Sequence, residues 1–373
     1  MKKICHISTA HPPTDDRIFY KECISLEKYG FEVYFIVPSK TEESVRNIRI
    51  VPLPIFKNRF KRIILGTYKA YQLAKKIDAA IYHFHDPELI PLGLKLKLSG
   101  KKVIYDVHEL VYYQLENKKW LGKMVKIIQW IYLQFEKRAV KKLDGIILAE
   151  DGYMDYFLSR YSIYKTKFQL IRNYSILSLI DLTVPANLND DRQKLIYLGG
   201  LSKVRGIKEI IQALELMKNP PVFLLFGRWE DPGYQSECMN LAGWKFVNYL
   251  GFRKLEEIYP YLKVSDLSIA MLYPIKNYLT SLPVKAFEYM AMEKPMILSD
   301  FPYWKEIFGK CAVFANPYNP ADIAEKIQEL LNDKPLRKEL GENGRRAVEE
   351  KYSWESEEQR LVDLYNRVLE NGN

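Results

Sequence analysis

The sequence predicts an α/β protein of two successive units, each a parallel sheet covered by helices. Three observations carry this. Short apolar runs alternate with amphipathic segments along nearly the whole chain, which is the pattern of repeating strand–helix units. The alternation lapses once, between Arg172 and Arg192, through Val184-Pro185-Ala186-Asn187-Leu188-Asn189-Asp190-Asp191, and then resumes. At 373 residues the chain is also long enough for two domains of ordinary size. The expected division is 1–175 and 176–354, with a last amphipathic helix at about 355–373 packing back on the first unit.

In the first unit the expected strands are Ile4–Ile7, Val33–Val37, Arg49–Pro52, Ala80–His85, Lys102–Asp106, Gly145–Ala149 and Phe168–Ile171. Helices are expected over Arg17–Tyr29, Phe60–Ile77, Leu89–Leu98, Trp120–Lys142 and Tyr153–Arg160. In parallel sheets ligands collect beyond the carboxyl ends of the strands. The first strand runs into a polar loop, Ser8 to Arg17, that includes Asp16 and lacks the G-x-G-x-x-G of a dinucleotide site. The fourth ends in His83-Phe84-His85-Asp86-Pro87-Glu88. Histidines two apart on a strand share a face, so either a metal site or a buried hydrogen-bonded pair fits. The fifth ends in Asp106-Val107-His108-Glu109. His108 there is either a satisfied structural histidine or a group that meets a hydroxyl or a developing charge.

Charge is unevenly spread. Residues 1–175 hold 31 Lys and Arg against 18 Asp and Glu, whereas the whole chain carries a formal +10. No nucleic-acid recognition motif accompanies that surplus, so an anionic membrane face or anionic acceptor is the expected partner. The segment Lys118–Lys142 interleaves lysines with Trp120, Trp130, Phe135 and aliphatic residues. It reads as a membrane-interface helix or as a helix packed on the sheet with a solvated basic face. Asn58–Ile64 has the same character and is a candidate extension of that surface. Cys5, Cys23, Cys238 and Cys311 form no C-x-x-C pair, which argues against a disulfide framework or zinc ribbon and fits a reducing compartment. The start, Met1-Lys2-Lys3-Ile4-Cys5-His6, lacks the apolar core of a signal peptide, and no run of about 18 apolar residues could span a bilayer. A cytoplasmic protein, peripheral on the inner membrane face, is the expectation.

In the second unit the expected strands are Leu195–Leu198, Val222–Phe226, Phe246–Leu250, Leu267–Met271, Met296–Ser299 and Ala312–Ala315. The first ends in Gly199-Gly200, with Arg205 shortly after; the second ends at Gly227; the third ends in Leu250-Gly251, a plausible nucleobase wall. After the fourth comes Ser281-Leu282-Pro283-Val284-Lys285-Ala286-Phe287-Glu288-Tyr289-Met290-Ala291. Proline after serine at the head of an apolar run is a helix start. Val284, Phe287, Met290 and Ala291 recur at helical spacing and are expected to face a core. Lys285 and Glu288 share a face. Unpaired N–H groups and the dipole of a helix N-terminus suit a phosphate, a first-turn lysine adds full charge, and a carboxylate one turn on can accept from ribose hydroxyls. The stretch reads as a nucleotide-diphosphate cradle, against the alternative of an ordinary amphipathic helix.

The order of these pieces resembles the retaining glycosyltransferases of GT-B fold, specifically glycosyltransferase family 4. The resemblance rests on His11-Pro12 through Arg17-Ile18-Phe19-Tyr20-Lys21-Glu22, His83-Phe84-His85-Asp86-Pro87-Glu88-Leu89 and Val103-Ile104-Tyr105-Asp106-Val107-His108-Glu109. It rests equally on Tyr197-Leu198-Gly199-Gly200, Phe287 to Pro295 and Tyr352-Ser353-Trp354. It implies two facing Rossmann-like domains with a cleft, the N-terminal one binding acceptor and the C-terminal one binding nucleotide sugar. Glu288 matches the second Glu of the family's E-x7-E pattern, which holds the ribose; at the first Glu position this chain has Thr280. Gly200 stands where an Arg is common, and Arg205 takes the family's Lys position. His108 matches the family's cleft histidine.

The implied activity is sugar transfer from a nucleotide-diphosphate sugar, a UDP-sugar favoured, to a glycan or lipid-linked acceptor in surface polysaccharide assembly, with no metal or other cofactor. The implied catalytic residues are His108, Arg205, Lys285 and Glu288. Donor contacts come from these last three with Gly199, Gly200, Gly227, Leu250, Gly251, Ser281, Leu282, Pro283 and Val284. Asp16, Arg17, His85, Asp86 and Glu109 are placed towards the acceptor or cleft. The alternatives are a nucleotide-sugar epimerase, a sugar phosphorylase, or a non-catalytic nucleotide-sugar-binding partner subunit.

Overall fold

A computed structural model describes residues 1–116, 122, 124–275, 278–279 and 281–370. The chain forms two compact units: Met1–Asn173 together with the segment from Glu355, and Tyr174–Trp354.

The first unit is built on eight strands: β1 (Lys3–Ile7), β2 (Glu32–Pro38), β3 (Glu43–Val45), β4 (Ile48–Leu53), β5 (Ile81–Phe84), β6 (Lys102–Val107), β7 (Gly145–Leu148) and β8 (Phe168–Leu170). Their order is β3-β4-β2-β1-β5-β6-β7-β8, all parallel except the β3–β4 pair. Central strands buried on both faces read as mostly apolar runs, which is why Val33–Val37 and, around His6, Ile4–Ile7 are legible as strands. β3 escapes sequence reading because its three residues are all exposed and carry no apolar alternation. The helix expected over Arg17–Tyr29 begins as a wider π-wound stretch, Asp16–Cys23, before Ile24–Lys28. Asp15 caps it, accepting from the N–H groups of Arg17 and Ile18. The helix expected over Trp120–Lys142 is described as Met124–Lys142; Lys118, Trp120 and their neighbours at 117–121 and 123 lie outside the described residues.

The second unit is a six-stranded parallel sheet: β9 (Lys194–Leu198), β10 (Val222–Phe226), β11 (Val247–Gly251), β12 (Leu267–Ala270), β13 (Met296–Ser299) and β14 (Ala312–Ala315). The order is β11-β10-β9-β12-β13-β14. Apolar cores lie on both faces of it. The cradle helix, Val284–Ala291, buries Phe287, Tyr289, Met290 and Ala291. Val284 is a correction: it stays 36% exposed, because the buried face turns towards Ala286, Phe287 and Met290. Pro283 is also displaced from its expected place; it is extended and precedes the first helical residue, so it sets the entry of the chain rather than the first turn.

The last helix, Trp354–Glu370, buries Leu361, Leu364, Tyr365 and Val368. Glu357 pairs with Arg172, and Glu358 pairs with Lys28.

Candidate active site

In the second unit the loops after β9, β10 and β11 and the start of the cradle helix converge. Gly199 has φ +125°, and a Cβ there would lie 2.7 Å from the Lys285 amine. Gly227 has φ +150°, and a Cβ there would lie 1.9 Å from the Gly199 carbonyl oxygen. Only glycine allows these two backbones to meet under a lysine. The Gly227 N–H donates to the Gly251 carbonyl, which adds the β11 end to the cluster. Tyr249 donates from its hydroxyl to the Gly227 carbonyl. Leu250 packs half-buried on the core and Gly251 turns with positive φ.

The helix is pinned from two sides. Tyr289 accepts from the Leu198 N–H and donates to the Ile269 carbonyl. Trp304 donates its indole N–H to the Ser281 carbonyl at 2.8 Å, fixing the loop that delivers Ser281, Leu282 and Pro283. The Lys285 amine sits 3.8 Å from the centroid of the Tyr197 ring. Tyr197 in turn donates its hydroxyl to the Gly200 carbonyl. Burial and then the nearby Arg205 hold the Lys285 amine well below the ordinary lysine range, against the pull of Glu288. The Arg205 Nε is buried without a hydrogen-bond partner. Glu288 is buried one turn along the same helix. Thus Gly199, Gly200, Arg205, Gly227, Lys285 and Glu288 lie in one compact region. Thr280, the departure from the E-x7-E pattern, lies outside the described residues.

The first unit gathers its histidines at the ends of β1, β5 and β6. His108 is hydrogen-bonded through Nε2 to Asp106 at 2.8 Å and lies 3.2 Å from His85 Nδ1. It keeps 17% of its side chain exposed, while Asp106 has none. Burial opposes ionisation of Asp106, but Arg17 and His108 together hold its carboxyl well below the usual carboxylate range.

Several residues placed towards the acceptor or cleft make contacts within the first unit. Arg17 is buried and clamps Asp106 bidentately, at 2.8 and 3.0 Å, with a third bond to the Ile171 carbonyl. Its Nε also lies 3.2 Å from Glu22 Oε1, and its Nη1 is buried without a hydrogen-bond partner. Asp86 accepts from Ser8 and from both the N–H and hydroxyl of Thr9, holding the loop after β1. Asp16 pairs with Lys21, and Glu109 accepts from Gln114. Sequence reasoning missed Glu22, His6 and Tyr365 as members of one buried cluster with His83 and His85. The available signal was Glu22 itself, an acid set in the apolar stripe of Ile18, Phe19, Cys23 and Leu26.

The fold has solved counterparts along its whole length. Sucrose-phosphate synthase from Thermosynechococcus elongatus superposes with a TM-score of 0.78 at 19% identity, covering 100% of both chains. Anabaena HepE, solved in complex with UDP-glucose, gives 0.73 at 13% identity over 98% of this chain and 100% of that one. These define the class: the chain has the GT-B fold. Residues 17–174 match the profile of Glycosyltransferase Family 4, and residues 182–347 match that of Glycosyl transferases group 1. The chain belongs to glycosyltransferase family 4. An N,N'-diacetylbacillosaminyl-diphospho-undecaprenol alpha-1,3-N-acetylgalactosaminyltransferase of Campylobacter jejuni is 29% identical over 50% of this chain and 48% of its own length. The capsular polysaccharide biosynthesis glycosyltransferase CapM of Staphylococcus aureus is 24% identical over 49% and 48%. The chain therefore spans about half the length of each of these relatives. Among the described residues no helix is long and apolar enough to cross a membrane.

Proposed function

We propose that the chain transfers a sugar, with retention, from a nucleotide-diphosphate sugar to a glycan or lipid-linked acceptor in surface-polysaccharide assembly. The observation that carries this is the meeting of Lys285, the unpartnered Nε of Arg205 and the Gly199–Gly200 backbone at the start of the Val284–Ala291 helix, with Glu288 one turn on. In the reaction the bond from the anomeric carbon to the diphosphate breaks. Negative charge grows on the leaving diphosphate, where Lys285, Arg205 and the helix N–H groups stabilise it. The acceptor oxygen bonds the anomeric carbon and its proton passes to the departing phosphate on the same face. Glu288 is assigned to the ribose hydroxyls and His108, oriented by Asp106, to the transferred sugar. A UDP-sugar is favoured as donor, in keeping with the UDP-glucose bound by the HepE structure.

The test is a thermal-shift panel of UDP, GDP, ADP and their sugars. A ligand bound only to the folded chain adds about 2.7 kcal/mol at a hundredfold excess over its Kd. A shift with one base and its sugars is the expected result; none with any of them overturns the reading.

The lipid-linked acceptor draws support from the first unit's surface. On Met124–Lys142, Met124, Ile127, Trp130 and Ile131 are all exposed beside Lys126, Lys137 and Arg138. Phe60, Ile64 and Leu65 are exposed too. Basic residues near an anionic surface contribute about 1 kcal/mol each, screened by salt. The chain should co-sediment with anionic vesicles at moderate salt and lose that with Ile127→Ser and Trp130→Ser together. Equal sedimentation of the double variant, or none by the parent, defeats the membrane assignment.

A further inference from the structure

We propose that His6, Glu22, His83 and His85 form a buried site for a divalent transition-metal ion of the zinc type, holding together the interior of the first unit. The four come from three places: His6 from β1, His83 from β5 with His85 just beyond its end, and Glu22 from the π-wound helix. One donor atom from each lies within 4.8 Å of the other three, and all four residues are buried. His6 Nδ1 and His85 Nε2 approach to 3.0 Å. Glu22 Oε2 lies 3.8 Å from His6 Nδ1, 3.7 Å from His83 Nδ1 and 3.9 Å from His85 Nε2.

These separations match the spacing of donors around an ion with bonds of about 2.0–2.2 Å. They are too long for hydrogen bonds from Glu22. Glu22 Oε1 is ion-paired with the Arg17 guanidinium at 3.2 Å, whereas its Oε2, fully buried, has no hydrogen-bond partner. A buried carboxylate oxygen that faces three imidazoles without a hydrogen bond is costly unless something fills the space between them. A carboxylate with three imidazoles is a zinc-type donor set.

The surroundings suit an ion as well. The Tyr365 hydroxyl lies 3.2 Å from His6 Nε2, the nitrogen turned away from Glu22, and 2.7 Å from His83 Nδ1, which leaves Nε2 as the open nitrogen of His83. The second nitrogen of His85 faces Asp106 at 3.4 Å. Metal-bound histidines ordinarily carry such outer partners. Burial keeps the three imidazoles unprotonated, the form that coordinates. The site belongs to the first unit's framework, and the ion's part is to fix His85, which neighbours His108.

The full chain, purified without chelator or affinity metal, should hold about one zinc-type ion by elemental analysis. After stripping and reloading with Co2+, visible d–d absorption should report tetrahedral nitrogen and oxygen ligation. Glu22→Gln keeps the side chain's shape and should weaken metal affinity at least as much as loss of an outer partner does, about 10–100-fold. Tyr365→Phe leaves every ligand in place and should weaken it about 10-fold. It also keeps the test open if Glu22→Gln fails to fold. A chain that folds without metal, shows no cobalt spectrum and gains no thermal stability from Zn2+ overturns the site. So does Co2+ affinity unchanged in both variants.

Discussion

Lys285→Met should abolish most turnover while leaving the unliganded protein as stable as before, or more so. Methionine keeps the length and apolar stem of lysine and removes the charge. In the unliganded chain that charge is a burden, since burial and Arg205 both push the amine towards its neutral form. The growing charge of a leaving diphosphate is what makes the ammonium useful. Loss of one such electrostatic group typically costs about 10²–10³ in kcat. A steady-state assay beside a denaturant titration separates the effects, and equal losses of stability and activity would reduce Lys285 to a packing residue.

The same lysine gives a pH dependence. Its folded-state pKa is lowered below the unfolded value, so between the two the unfolded chain binds more protons, and this group's contribution to stability rises with pH. A bound diphosphate reverses the bias and draws a proton in. Nucleotide binding should therefore take up a proton, and affinity should fall as pH rises through the liganded pKa of the amine. Calorimetry in buffers of different ionisation enthalpy reads that uptake directly. Lys285→Met should eliminate it.

Gly227→Ala should have the largest effect on stability. Its φ of +150° is one that L-residues rarely adopt, and the added methyl would sit 1.9 Å from the Gly199 carbonyl oxygen. That oxygen belongs to the backbone, so relief requires moving the loop that carries Gly200 and leads to Arg205. The expected cost exceeds about 4 kcal/mol, in the range reserved for severe backbone and packing faults. Nucleotide-induced thermal shifts should vanish with it. Gly251→Ala is the control: φ is +72°, but a Cβ there meets nothing within 4 Å. Left-handed strain alone costs about 1–2 kcal/mol. Comparable midpoints for the two variants would refute the close-approach argument.

The strands of both sheets were legible because fully buried parallel strands are apolar along most of their length, as in Val222–Phe226 and Met296–Leu298. The β3 edge was not, since a short exposed strand has no pattern to show. Of the cradle, the sequence alone determined the helix start, the shared face of Lys285 and Glu288, and glycines at the strand ends. It could not say that Tyr197 lies under the lysine or that Gly227 abuts Gly199, because those meetings depend on β10 pairing with β9 and on the helix crossing back over them. Motif reading in the first unit picked out Arg17, Asp86, His85 and His108 as a set, but left their partners open. Tertiary structure decided that Arg17 is locked to Asp106 and that Asp86 is spent on Ser8 and Thr9. It also gathered Glu22 and, from the far end of the sequence, Tyr365 around three histidines of the first unit. Local sequence encodes periodicity and backbone preference; which buried polar group finds which partner is settled only when distant strands close on one another.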